Sequence, residues 1–153
     1  MADVRARLDD RGVSTVLGYT LNVVVATLVV TGLLVAAGSL VDSQRQQAVR
    51  SELSVVGQRL AANMEVADRL SQAAGDGTVR VHVKLPERVS GSPYHVAIQV
   101  RNGNATAVLT ADDPAVRVEV PIDNQTAVAR TTAPGGSVDV TWSAGGSLEV
   151  HRG

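Results

Sequence analysis

Few residues in this chain are equipped for chemistry. There are three histidines, His82, His95 and His151, and no cysteine. Without cysteine there is neither a thiolate metal site nor a disulfide scaffold. His82 and His95 fall on the polar sides of alternating segments, and His151 lies near a terminus that would fray. Two histidines on neighbouring strands could approach each other, but a zinc site needs three or four ligands. The sequence has no H-x-x-x-H, no P-loop or Rossmann glycine spacing and no G-x-S-x-G. Asp112-Asp113 precedes Pro114, where turn geometry accounts for the acids as well as weak cation binding would. No catalytic, cofactor-binding or metal residue is therefore expected, and the chain does not read as an enzyme. Two tripeptides, Asn104-Ala105-Thr106 and Asn124-Gln125-Thr126, are candidate glycosylation sites at Asn104 and Asn124, which requires exposure outside the cell.

The elements that carry these residues begin with an apolar run. Residues 13–41 are 29 in succession without a charged side chain. About 20 apolar residues cross a bilayer as a helix. With twelve residues ahead of the run, the expected arrangement is a single span with residues 42–153 on the far side. Arg5, Arg7 and Arg11 precede it and Arg45 and Arg50 follow, a weak lean of the N-terminus toward the cytoplasm. The whole chain carries 14 basic against 15 acidic side chains. That lacks the basic excess of a nucleic-acid binder, so no nucleic-acid partner is expected.

The junction Arg11-Gly12-Val13-Ser14-Thr15-Val16-Leu17-Gly18 resembles the class III signal peptide of archaeal type IV pilins and related pilin-like proteins. The likeness rests on a basic residue, a small residue and then an immediate long apolar helix, and it covers roughly the first 40 residues. It implies cleavage by a prepilin peptidase between Gly12 and Val13, with Arg11, Gly12 and Val13 forming the processing site. The apolar helix would stay on the mature protein, whereas an ordinary secretory signal loses its apolar core. Haloarchaeal adhesion pilins typically carry proline where this chain has Thr15, and bacterial pilins carry glutamate where it has Leu17. Those departures imply a divergent or minor member. The partners implied are the membrane, a prepilin peptidase and other pilin-like subunits.

Within the apolar run, Gly18, Asn22 and Gly32 stand out as helix-packing candidates. Small residues let helices approach closely, and an amide in hydrocarbon needs a partner. Beyond it, Val49, Leu53, Val56, Leu60, Asn63, Ala67 and Leu70 recur at alternating steps of four and three, a heptad seam. Gln58, Arg59, Glu65 and Asp68 fall on the polar outer face. Gly57 is the one interior glycine there, costing about 1 kcal/mol against alanine. Gly75-Asp76-Gly77 should end the helix. The seam would pack on the chain's own strands or form a coiled coil with Asn63 setting register. Its weak positions favour the first.

After Gly77 the apolar period becomes two: Val79, Val81, Val83 and Leu85, then Val96, Ile98 and Val100. It continues at Val116–Ile122, Val138–Trp142 and Leu148–Val150, with weaker runs at Ala105–Ala111 and Thr126–Thr131. Turn signals separate the runs at Ser90–Pro93, Asn102–Asn104, Asp112–Pro114, Ala133–Gly136 and Ala144–Gly146. Six or seven short strands predict an antiparallel sheet or small sandwich. The fold class is α+β: a leader at 1–12, a transmembrane or assembly helix at 13–41, an amphipathic helix at 42–75 and a β domain at 78–152. The expected function is a pilin-like structural protein of the cell envelope with the β domain outside. An uncleaved single-span anchor carrying a binding or accessory module is the alternative. Conventional secretion with a cut near Ala37 or Ser39 is a third reading.

Overall fold

The structure, a computed structural model, describes residues 3–143 and 146–153, with side chains from residue 16 onward. The fold is α+β, as the sequence predicts: one long helix followed by antiparallel strands. Helix α1 (Asp3–Ala73) precedes β1 (Thr78–Val83), β2 (Arg88–Val89), β3 (Ser92–Arg101) and β4 (Asn104–Asp112). Then come β5 (Ala115–Ile122), β6 (Thr131–Pro134), β7 (Val138–Ser143) and β8 (Glu149–Arg152). The chain divides into two compact units, Met1–Ser43 and Gln44–Gly153. The amphipathic part of α1 therefore belongs to the same unit as the strands.

The helix stops where the sequence removes its support. Gly75 takes a left-handed conformation, with φ of 57°, and the Gly77 N–H donates to Ala74 O at 2.9 Å. Such a residue just past the last turn satisfies carbonyls that the helix leaves open.

The strands form two sheets, one in the order β1-β7-β8 and one running β2-β3-β4-β5 with β6 also on β3. Two tight hairpins set the larger sheet. Ser90-Gly91 turns β2 into β3 and Asn102-Gly103 turns β3 into β4, and all four residues have positive φ. Two left-handed residues in succession match the twist of antiparallel strands. The sheets meet where β6 approaches β8. Leu148 exchanges backbone hydrogen bonds with Ala127 and Ala129, and the Thr131 hydroxyl donates to Val150 O.

Alternation places one face of each strand inward. Val96 pairs with Leu109 and Leu109 with Val118 across the larger sheet. Val79 pairs with Trp142, and Val140 with Val81 and Val150, in the smaller one. The Tyr94 ring is fully buried, and its hydroxyl donates to Pro86 O at 2.6 Å. Burial pushes that phenol above its ordinary pKa of 10.0. Gly135 lies against the ring, where a β-carbon would stand 2.6 Å from Tyr94 Cε1.

The buried face of α1 corrects the seam. Val49, Leu53, Val56, Leu60 and Ala67 are buried as expected, but Met64 takes the place of Asn63, and Leu70 is 47 % exposed. Ser71, with Asp68, is buried instead. From Val49 to Ser71 six steps cover 22 residues, about 3.7 per step. A straight helix drifts roughly 20° per heptad away from a seam of period 3.5. The burial follows the helix's own turn, as packing on a sheet requires. The strand pattern also needs amending. The run Thr126–Thr131 forms an isolated bridge at Val128 and reaches a strand only at its last residue, Thr131, which opens β6; that strand takes in Ala133 and Pro134, where the sequence predicts a turn. Hydrogen bonding to β3 outweighs Pro134's turn preference, because an edge position has no need of its missing N–H.

Two carboxylates and one glycine join helix to sheet. Glu52 accepts the Ser90 N–H at the β2–β3 hairpin. Asp68, 4 % exposed, accepts the Thr126 N–H at 2.7 Å, the Gln125 N–H at 3.1 Å and the Gln72 side-chain amide at 2.9 Å. Burial alone would raise the Asp68 pKa, yet these bonds from Thr126, Gln125 and Gln72 favour the ionised form and hold it below the ordinary 3.8. Between the two carboxylates lies Gly57, whose β-carbon would stand 2.7 Å from Val120 Cγ2 and 2.9 Å from Leu109 Cδ1.

Gly57→Leu should therefore destabilise the chain by about 1–3 kcal/mol through overpacking, measured by unfolding in detergent. Gly38→Leu, with open space around it, should leave the midpoint of the Gln44–Gly153 unit unchanged. An unaltered midpoint for Gly57→Leu would contradict the close approach.

Asp68→Asn turns an NH2 group toward one of two backbone donors and should cost about 1–3 kcal/mol at neutral pH. Because the folded pKa is depressed, the stabilisation is complete above the ordinary 3.8 and is lost as pH falls through the lowered folded value. The stability gap between wild type and Asp68→Asn should be constant above the ordinary 3.8, narrow as pH falls from there to the lowered folded value, and stay narrowed below it. A gap independent of pH across this range would refute the assignment.

Candidate functional site

Arg11, Gly12 and Val13, the expected processing site, lie within α1 by backbone, and their side chains are outside the described residues. From Val16 on, α1 contains a stretch long and apolar enough to cross a membrane, near the N-terminus of the chain. None of its side chains between residues 16 and 48 is buried, and Leu34 is 68 % exposed. Apolar surface of this extent requires a covering of lipid or other apolar helices, because water opposes its exposure.

Polar groups in the segment are accommodated one by one. The hydroxyls of Thr20, Thr27 and Thr31 donate to the carbonyls of Val16, Val23 and Thr27 at 2.8–2.9 Å. Ser39 and Ser43 donate similarly to Ala36 and Ser39. A hydroxyl satisfied within its own helix suits a medium that offers no partner. Asn22 differs, since among the described residues its exposed amide makes no hydrogen bond. At 100° per residue, Gly18, Asn22 and Gly32 fall within about 80° of one another around the helix. A side chain added at Gly18 or Gly32 would meet nothing within 4 Å. The three packing candidates therefore share one open face.

The two glycosylation candidates stand differently. Asn104 is exposed at the start of β4, beside the Asn102-Gly103 hairpin. Asn124 is committed to the fold: its Oδ1 accepts the Ala105 N–H at 2.9 Å, and its Nδ2 donates to Gly103 O and Thr126 O. A sugar on that nitrogen would displace one of the two donors. The Thr126 hydroxyl also lies 3.0 Å from the Ser71 hydroxyl. Asn124 thus ties the loop after β5 to the β3–β4 hairpin.

His95 is exposed on the outer face of β3. His82 and His151 both lie on the outer face of the β1-β7-β8 sheet. His82 Nδ1 is 2.6 Å from Asp139 Oδ1, and His151 Nε2 is 3.0 Å from Glu149 Oε2. As these side chains stand, no three His, Asp or Glu among the described residues are grouped to hold a metal ion. Asp113 lies 3.6 Å from Arg45, an exposed ion pair that accounts for one of the two turn acids. A shallow groove of about 280 Å³ between α1 and the β2 region is lined by Val55, Val56, Pro86 and Val89, with Glu52, Arg59 and Arg88 at its rim. It has room for a side chain and sets no nucleophile against a base.

The heptad pattern predicts Asp68 on the polar outer face, whereas the structure buries it against the Gln125-Thr126 loop. Its spacing from Ala61, Met64 and Ser71 on one side of the helix is the signal that could have shown its burial. The His82–Asp139 pair joins residues 57 apart in the chain and depends on the β1–β7 register.

Comparison with curated proteins and with solved structures gives no match. A family described as "Family of unknown function (DUF7266)" matches residues 8–151. The match takes in the apolar part of α1 together with the β sheets, and the chain belongs to the DUF7266 family.

Proposed function

We propose that this chain is a pilin-like structural protein of the cell envelope, cut after Gly12, held by the apolar part of α1 and presenting residues 42–153 outside the cell. The observation that carries the reading is the contrast along α1. Apolar side chains from Val16 to Val41 are exposed, whereas the buried face starts at Val49. A helix made for this chain's own core would not alternate between those two conditions. The basic-small junction at Arg11-Gly12 directly ahead of the apolar run supports processing by a prepilin peptidase.

A second reading, an uncleaved single-span anchor for an accessory module, is favoured by one observation. Helix α1 runs unbroken from Asp3 through the junction, and a peptidase must open a helix to cut it. Intact mass of the membrane-extracted protein separates the two. The pilin-like reading expects a chain starting at Val13, and the anchor reading expects Met1. A start near Ser39 would contradict both.

Assembly through the helix is tested at Asn22. Interhelical hydrogen bonds contribute about 0.6–2 kcal/mol in membranes, so Asn22→Leu should weaken crosslinking between helices in native membranes. Val24→Leu, which changes shape without polarity, should not. Equal crosslinking in both variants would remove the assembly role from this face.

A further inference from the structure

We propose that the free edge of β5 is a self-association site, where a second copy of this chain adds its own β5 in antiparallel pairing about a two-fold axis at Val118. The inference starts from the backbone groups that this edge presents. Among the described residues β5 pairs with β4 alone. The Asn102-Gly103 hairpin closes on Arg101 and Asn104, so Asn104 bonds toward β3. Alternation then turns Ala105, Ala107, Leu109 and Ala111 toward β5, and their partners from Val116 to Ile122 toward β4. The intervening residues Ala115, Arg117, Glu119 and Pro121 point their backbone groups off the sheet, and all four are exposed. Pro121 fits this placement, because a proline in a strand belongs where its missing N–H faces outward.

Charges and proline on an edge commonly prevent pairing. Here their order makes β5 complementary to itself. With the axis at Val118, Arg117 faces Glu119 of the second copy and exchanges both backbone hydrogen bonds with it, and the axis repeats that pair. The Ala115 N–H meets Pro121 O, so the missing N–H affects only the last rung. Moving the axis by one residue sets Arg117 against Arg117 or Glu119 against Glu119. Within one chain these two side chains bond each other at 2.8 Å and are 52 % and 55 % exposed, so both can turn across the edge. On the inward side Val118 and Val120 are only half-buried. The pairing sets Val118 beside Val118 at the closer spacing of about 4.5 Å, and Val116 beside Val120.

Helix α1 permits this approach. The contacts of Gly57 with Leu109 of β4 and Val120 of β5 place the helix over those two strands. Two such helices related by the axis lie roughly 10 Å apart, a normal packing distance. Arg45 meets Asp113 just before β5, and Asp68 holds Gln125 and Thr126 just after it, so this part of α1 runs along β5. An axis perpendicular to the sheet reverses that direction and sends the two Gln44 ends opposite ways. On the anchor role proposed above, paired copies therefore reach out from facing membranes.

The chain has no cysteine, so Val118→Cys introduces a single thiol. Mild oxidation of that full-length variant in detergent should give a disulfide-linked dimer, since a non-hydrogen-bonded antiparallel pair lies within disulfide range. His151→Cys, exposed on β8, should stay monomeric. Adding Arg117→Glu to Val118→Cys should cut the dimer yield about fivefold through like-charge opposition, with circular dichroism unchanged. Adding Glu119→Arg as well should restore it. The parent chain in phosphatidylcholine vesicles should cluster them by light scattering, with the same loss and recovery. No Val118→Cys dimer, or a yield indifferent to Arg117→Glu, would overturn the pairing, and a dimer without clustering would overturn the facing arrangement. None of these readouts depends on where the mature chain starts, so their failure is distinct from failure of the pilin-like reading.

Discussion

The Gln44–Gly153 unit depends on a helix lying close against a sheet of small side chains. With one tryptophan, two tyrosines and no phenylalanine in the chain, the core has little bulk to fill space between layers. Close approach replaces bulk. On the inward face of β4, Ala105, Ala107 and Ala111 flank Leu109, and Gly57 brings the α1 backbone up to Leu109 and Val120. Packing density in protein interiors leaves no room for a gap of even one methyl group. The glycine that weakens the helix in isolation is what lets it seal the sheet. Glu52 and Asp68 then fix the helix to two loops by accepting their backbone N–H groups.

The same helix meets a different requirement in its apolar part. There the side chains from Val16 on have no core of their own to enter, and the hydroxyls of Thr20, Thr27, Thr31, Ser39 and Ser43 bond back to their own helix. Asn22 departs from that rule on the face shared with Gly18 and Gly32. The DUF7266 match spans both parts, consistent with the proposal that anchoring and display belong to one design.

Much of the fold was legible in local pattern. Alternating valines gave the long strands, and the turn signals at Ser90–Pro93 and Asn102–Asn104 marked where the chain reverses, because period and turn chemistry are properties of neighbouring residues; the two-residue strand β2 is too short to carry a period. Where partners are distant in sequence, the pattern ran out. Met64 replaced Asn63 because a sheet selects the straight-helix phase, which a heptad reading distorts. Asp68 looked like a surface acid until the loop at Gln125-Thr126 supplied donors. β6 was blurred by Pro134, since propensity does not reveal an edge pairing. The His82–Asp139 pair follows from register alone, and no sequence spacing encodes it.

The account rests on residues 44–153 folding without the apolar part of α1. The most direct measurement is hydrogen exchange on that fragment, compared with the full chain in membranes. The prediction is a soluble fragment with the same protected amides in Leu53–Ala67 and in β3, β4 and β7. A fragment that aggregates, or one in which the helix amides exchange freely while the strands stay protected, would contradict the helix as the wall of this core.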